Sequence, residues 1–223
     1  VKVLEQKSSE PENRKIQKLE ILLYNKIMTP KTFIFFGPSG AGKGTQAKIL
    51  IEYLKKVDPE KKTLYIETGQ RFREFITEAS FTATQTNEII ENGGLLPEFL
   101  PIWIWSEYFV KHVSGDEHMI LDGLSRRAYE APILNSAMKF YKREKPFVIY
   151  IEVSRDWARE RLLERDRGDD KIDQIEKRLD WFEKNVVPAM EYFKNNEFYN
   201  FITVNGEQSI VEVNKELMSK IGM

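Results

Sequence analysis

Residues 37–45 read Gly-Pro-Ser-Gly-Ala-Gly-Lys-Gly-Thr, between the apolar run Thr32–Phe36 and a stretch of helical periodicity reaching to about Val57. A strand, a glycine-rich turn and a helix in that order leave few folds open. Glycines let successive backbone N–H groups turn inward around an anion, and the helix N-terminus adds its partial positive charge. Lys43 supplies a mobile point charge for outer phosphates. Gly37, Ser39, Gly40, Ala41, Gly42, Lys43, Gly44 and Thr45 therefore form a candidate phosphate cradle. Gly44 stands where the common form of such a loop has Ser or Thr, which makes Thr45 the candidate metal-side hydroxyl.

The rest of the chain continues the alternation. Short apolar runs at 63–66, 119–121, 147–152 and 201–204 read as four more strands. Helical spacing predicts helices over 69–79, 84–92, 98–113, 127–142, 155–166, 171–185, 188–195 and 209–221. Continuously apolar strands separated by helices predict a parallel sheet covered on both faces. Right-handed crossovers make it a doubly wound, five-stranded α/β sandwich of the P-loop NTPase type, with ligands at the carboxyl ends of the strands. Ahead of it, Ile16, Leu19, Leu23 and Ile27 recur at helical spacing, so residues 1–30 read as a helical extension and 31–223 as the main domain.

Composition narrows the functions. Lys and Arg number 34 against 35 Asp and Glu, so a broad electrostatic grip on nucleic acid or anionic membrane is not expected and any anion site must be built locally. The chain has no cysteine, which excludes disulfides, thiolate metal sites and a cysteine nucleophile. No apolar run approaches the ~20 residues of a membrane span. With no apolar leader at the start, the expectation is a soluble, cytoplasmic monomer.

Asp122 ends the apolar run 119–121, where a carboxylate can help hold Mg²⁺ through water beside phosphates. Loop and carboxylate together mark a nucleotide site and no more; an Asn-Lys-x-Asp guanine-reading motif is lacking, which weakens a GTPase reading. Arginines add the next constraint. Arg73, Arg126, Arg161, Arg165, Arg167 and Arg178 follow these motifs, and Arg161 with Arg165 share one helix face. Phosphoryl transfer between two anionic nucleotides needs such a set, because arginine meets phosphate oxygens bidentately and stays charged.

From about Lys31 to the C-terminus the chain resembles the adenylate kinase family of nucleoside monophosphate kinases. The resemblance is carried by the loop block at 37–50, by Glu67-Thr68-Gly69-Gln70-Arg71-Phe72-Arg73, by Asp122-Gly123-Leu124-Ser125-Arg126, and by the arginines from Arg161 to Arg178. It implies Mg·ATP as donor, a nucleoside monophosphate (NMP) as acceptor, a helical NMP-binding segment over 67–96 and a very short lid over 166–169. It implies that Lys43, Arg126, Arg165, Arg167 and Arg178 are catalytic. The donor would lie on the loop with Arg161, Arg165 and Gly206. The acceptor would lie on Thr68, Gly69, Arg73, Leu96, Gly123, Arg126, Glu130, Arg167 and Arg178, with Asp122 ordering Mg²⁺.

Three positions depart from the family pattern. Gln70 replaces an Asp and Ser125 replaces a Pro, which is expected to loosen that turn. Glu130 stands where the family has the Gln that reads adenine. Ionised Glu only accepts hydrogen bonds, which suits guanine's two donors or cytosine's amino group, while Thr68 favours AMP. AMP is the first acceptor expected; GMP, a pyrimidine monophosphate or a non-catalytic nucleotide-binding module are the alternatives, and a small-metabolite kinase is the least favoured. Trp103, Trp105, Tyr108 and Phe109 are expected in the core, Trp157 and Trp181 between helices, and His112 and His118 in surface or packing roles.

Overall fold

The computed structural model describes residues 29–165 and 171–223. The helix expected over 12–28 and the lid over 166–169 lie outside the described residues.

Two apolar cores meet across the central strands. In β1 (Thr32–Phe36), Phe33 and Phe35 enter one core while Ile34 and Phe36 enter the other, as the two-residue period of a strand requires. β3 (His118–Asp122) alternates likewise, Ile120 joining the first core and Met119 and Leu121 the second. Strands apolar on both faces must be covered on both. β2 (Thr63–Glu67), β4 (Phe147–Glu152) and β5 (Asn200–Asn205) complete a parallel sheet in the order β2-β3-β1-β4-β5. This is the five-stranded sheet expected from the sequence.

α1 (Lys43–Val57) and α9 (Ile210–Ile221) cover one face through Leu50, Leu54, Val213 and Leu217. α4 (Phe99–His112), α5 (Glu130–Phe140) and α8 (Val187–Lys194) cover the other through Trp105, Phe109, Leu134, Met138 and Phe193. Each fully buried Leu or Phe contributes roughly 1.5–3 kcal/mol relative to exposure, so these two layers hold the sheet. Trp103 is a correction to the expected core: it turns away from Trp105 on the same helix and is 42% exposed.

α2 (Thr68–Phe75) and α3 (Phe81–Glu91) pack with α4 around Phe72, Phe75, Ala83, Leu96, Leu100 and Ile104, a small core of their own. α6 (Arg155–Arg165) and α7 (Ile172–Trp181) form a hairpin with only Ala158, Leu162, Ile175 and Leu179 at its centre. Its seam is largely ionic. Arg155 pairs with Glu176 at 2.6 Å, Asp180 at 2.7 Å and Glu183 at 3.1 Å, and Arg159 also pairs with Glu176. These partners hold the Glu176 carboxyl at about 2.

The break expected between helices at 185 and 188 is absent. The helix runs on through a π turn at Phe182–Val186 into α8. Pro188 has no N–H, and its ring would press on a carbonyl four residues back in an α-helix; widening the turn relieves both problems.

Away from the ligand-facing edge, His118 is fully buried at the start of β3. Its Nδ1 accepts from the Lys31 N–H at 3.1 Å and its Nε2 donates to Asp58, the C-cap residue of α1, at 3.1 Å. Burial holds this imidazole below its ordinary pKa, with Asp58 opposing. Both observations fit the packing role expected of it.

Candidate active site

The turn after β1 is shaped by close approach. Gly40 has φ 89°, and a Cβ there would stand 2.6 Å from the Ala158 carbonyl oxygen of α6. Only glycine satisfies both conditions. Gly42 starts α1 with φ 88°. Lys43 then reaches back over the loop, its Nζ donating to the carbonyls of Gly37 and Pro38 at 2.9 Å each. Burial lowers the Lys43 pKa, opposed by Asp122.

Asp122 ends β3 directly beside Glu67, which ends β2, because the parallel register pairs the two residues. Asp122 is buried, and desolvation raises its pKa while Lys43 opposes. A Cβ on Gly44 would lie 3.7 Å from Asp122 Oδ2 and 3.9 Å from the Tyr65 hydroxyl, so the loop sits closely on both. After Asp122 the chain turns through Gly123 and Leu124 to Ser125, whose φ is 57°. A proline could not adopt that angle. The turn delivers Arg126, whose Nε donates to the Gly123 carbonyl at 3.0 Å and whose guanidinium lies 5.6 Å from the centre of the Trp181 ring. Glu130 Oε2 accepts from the Arg126 N–H at 2.9 Å. Glu130 is 1% exposed, and burial raises its pKa.

On the opposite wall, Arg161 lies 5.0 Å from the centre of the Trp157 ring. Arg165 on α6 and Arg178 on α7 face the same space. The elements enclose one cavity of about 500 Å³. Every residue singled out as a site residue from sequence lines it except two: Gly37, whose carbonyl holds Lys43, and Arg167, which lies outside the described residues. Seven cationic side chains and three carboxylates, Glu67, Asp122 and Glu130, line that space. The near-neutral chain thus concentrates positive charge where the strands end.

The sequence model of the adenylate kinase family matches residues 35–198. The chain belongs to the adenylate kinase family. It is 30% identical over 189 residues to adenylate kinase 1 of Nostoc sp., covering 85% of this chain and 97% of that protein. It is 31% identical over 189 residues to adenylate kinase of Corynebacterium diphtheriae, covering 85% of this chain and 98% of that one. Adenylate kinase of Thermosipho africanus is 30% identical over 220 residues, covering 84% and 98%. As a family member this protein is a phosphotransferase with a phosphate group as acceptor, a nucleoside monophosphate kinase.

For an adenylate kinase family member the donor set fits Mg²⁺. Among the described residues no three His, Cys, Asp or Glu converge as a metal cage. Mg²⁺ in such sites rests on one or two carboxylates, water and the substrate's own phosphates, so the Asp122 carboxylate in a cavity that Thr45 also lines suits it. Among the described residues no helix is long and apolar enough to cross a membrane.

Glu67, Trp157 and Trp181 are among the cavity residues of this adenylate kinase family member that were not foreseen as site residues. The tryptophans were expected between helices; Trp181 packs against the core and also lies beside Arg126, and Trp157 places its ring beside Arg161. Their positions four residues before Arg161 and three after Arg178 were the available signal.

Proposed function

We propose that this protein transfers the γ-phosphoryl group of Mg·ATP to AMP, giving two ADP. The observation that carries the reading is the convergence of Lys43, Arg73, Arg126, Arg161, Arg165 and Arg178 on one cavity that has the phosphate loop at its floor. A single nucleotide would not need so many cations; two triphosphate and monophosphate tails meeting end to end would. Lys43 and the loop amides hold the donor phosphates, with Arg161 and Trp157 beside the donor base. Arg73 and Arg126 hold the acceptor phosphate. An anionic oxygen of that phosphate attacks the γ-phosphorus in line, forming one P–O–P bond as the other breaks, and the leaving ADP oxygen takes the charge. No strong base is needed, so catalysis is alignment and charge neutralisation. Asp122, with Thr45 near it, would hold the hydrated Mg²⁺, which neutralises phosphate charge.

AMP is favoured by two groups. Thr68 Oγ1 is buried, has no hydrogen-bond partner and belongs to a residue lining the cavity. The raised pKa of Glu130 favours the protonated carboxyl, which offers both a donor and an acceptor, the pair that adenine N1 and its amino group require. The expectations of a cytoplasmic monomer accompany this reading.

The test is ADP formation from Mg·ATP with AMP, GMP, CMP, UMP and dTMP in turn. AMP is expected to be the best acceptor. A preference for GMP would mean that Glu130 acts ionised, and nucleotide binding without product from any acceptor would favour the non-catalytic module.

A further inference from the structure

Of the three carboxylates lining the cavity, Glu67 alone has no part in the scheme above. We infer that Glu67 is a positioning residue for the acceptor phosphate, holding the Arg73 guanidinium over Gly69 so that it faces the cavity. This rests on the reading of Arg73 as an acceptor-side arginine.

Glu67 closes β2 and is the N-cap residue of α2, yet its side chain makes no cap hydrogen bond. Instead its Oε1 accepts from Arg73 Nη2 at 3.0 Å. Gly69 lies beneath the pair. A Cβ there would stand 3.3 Å from Arg73 Nη1 and 3.7 Å from Glu67 Oε1, so the missing side chain is what lets the guanidinium fold back. Carboxylate, glycine and arginine interlock within two turns of chain.

The arrangement answers an electrostatic need. Arg73 and Arg126 carry like charge near each other; burial is the main cause that lowers the Arg126 pKa, and Arg73 adds to it. A long, flexible cationic side chain with a like-charged neighbour gains by swinging into water. Glu67 counters both tendencies. It also relieves its own problem, because the strand register sets it next to Asp122. A guanidinium has five N–H donors, so a carboxylate on one edge leaves others to meet phosphate oxygens.

The experiment compares wild type, Glu67→Ala, Glu67→Gln, Arg73→Ala and the Glu67→Ala/Arg73→Ala double variant in steady-state kinetics, AMP calorimetry and thermal melting. Glu67→Ala is expected to raise the KM and Kd for AMP roughly three- to fivefold, the scale of a partly exposed ion pair. The KM for ATP stays unchanged. Glu67→Gln recovers part of the loss, because its amide oxygen still accepts. In the Arg73→Ala background the Glu67 change adds nothing. Unchanged or tighter AMP binding in Glu67→Ala overturns the proposal. So does an equal factor in the Arg73→Ala background, or parallel losses for ATP and AMP with a lowered Tm. A wild type that makes no ADP counts against the proposed function alone, and the calorimetry still decides the role of Glu67.

Discussion

The carboxyl of Glu130 accepts a hydrogen bond from the backbone N–H of Arg126, so the residue proposed to read the acceptor base is tied to the arginine proposed to hold the acceptor phosphate. Arg126 and Arg127 favour the ionised carboxylate, and burial and Glu98 favour the neutral one, with burial the largest influence. As pH rises through the Glu130 pKa, the O–H donor to adenine is lost and the KM for AMP is expected to climb. Glu130→Gln keeps a donor and an acceptor at every pH. Its KM for AMP should stay flat with pH, where the wild-type value rises as pH passes the raised Glu130 pKa. Parallel profiles for the two proteins would show that Glu130 does not read the base through its proton.

Lys43→Met removes the side chain whose Nζ donates to the Gly37 and Pro38 carbonyls beside the cavity. Loss of a preorganised charge at transferring phosphates costs about 10²–10³ in kcat. The Tm is expected to change little, since the buried cores do not involve this residue. Single-turnover assays with melting curves check both statements, and near-normal kcat would remove Lys43 from the mechanism.

Ser125 has a left-handed backbone, so two substitutions should part company. Ser125→Gly fits φ 57° without strain and should hold or raise stability. Ser125→Pro demands φ near −65° and should cost about 1–3 kcal/mol or more, displacing Arg126 with it. Urea titration measures the difference; equal stability of the two variants would contradict the turn described.

His118 makes stability depend on pH. Its folded pKa is depressed, so its contribution is complete above the unfolded value near 6.5 and is lost as pH falls through the folded value. The Tm should therefore drop as pH falls below about 6.5. His118→Gln keeps a donor toward Asp58 but never charges. It should be less stable above that pH by about 1–3 kcal/mol and show a shallower acid slope. An unaltered slope would assign the acid sensitivity to other groups.

The central strands were legible because both of their faces are apolar: Thr32–Phe36 and Phe147–Glu152 emerge with the bounds read from sequence. α3 was placed three residues late. Ser80, whose Oγ accepts from the Ala83 N–H, was the start signal, and exposed Phe81 disguised it. The helical phase around Trp103 and Trp105 was hidden for a different reason: an unbroken apolar run from Phe99 to Trp105 carries no contrast from which to tell inside from outside. Glu67 was unreadable in principle from a single strand. A carboxylate at a strand end looks like a solvated cap until the parallel register sets it against Asp122 and a bend brings Arg73 back to it. Ser125 was visible as a departure, but its left-handed backbone was not.

The hairpin of α6 and α7 is joined chiefly by charge, while the sheet it overhangs is joined by oil. Electrolyte weakens the first kind of adhesion and spares the second. Brine should therefore unsettle the bearing of Arg161, Arg165 and Arg178 on a nucleotide well before it melts the body of the protein, so catalytic vigour and thermal endurance need not decline together.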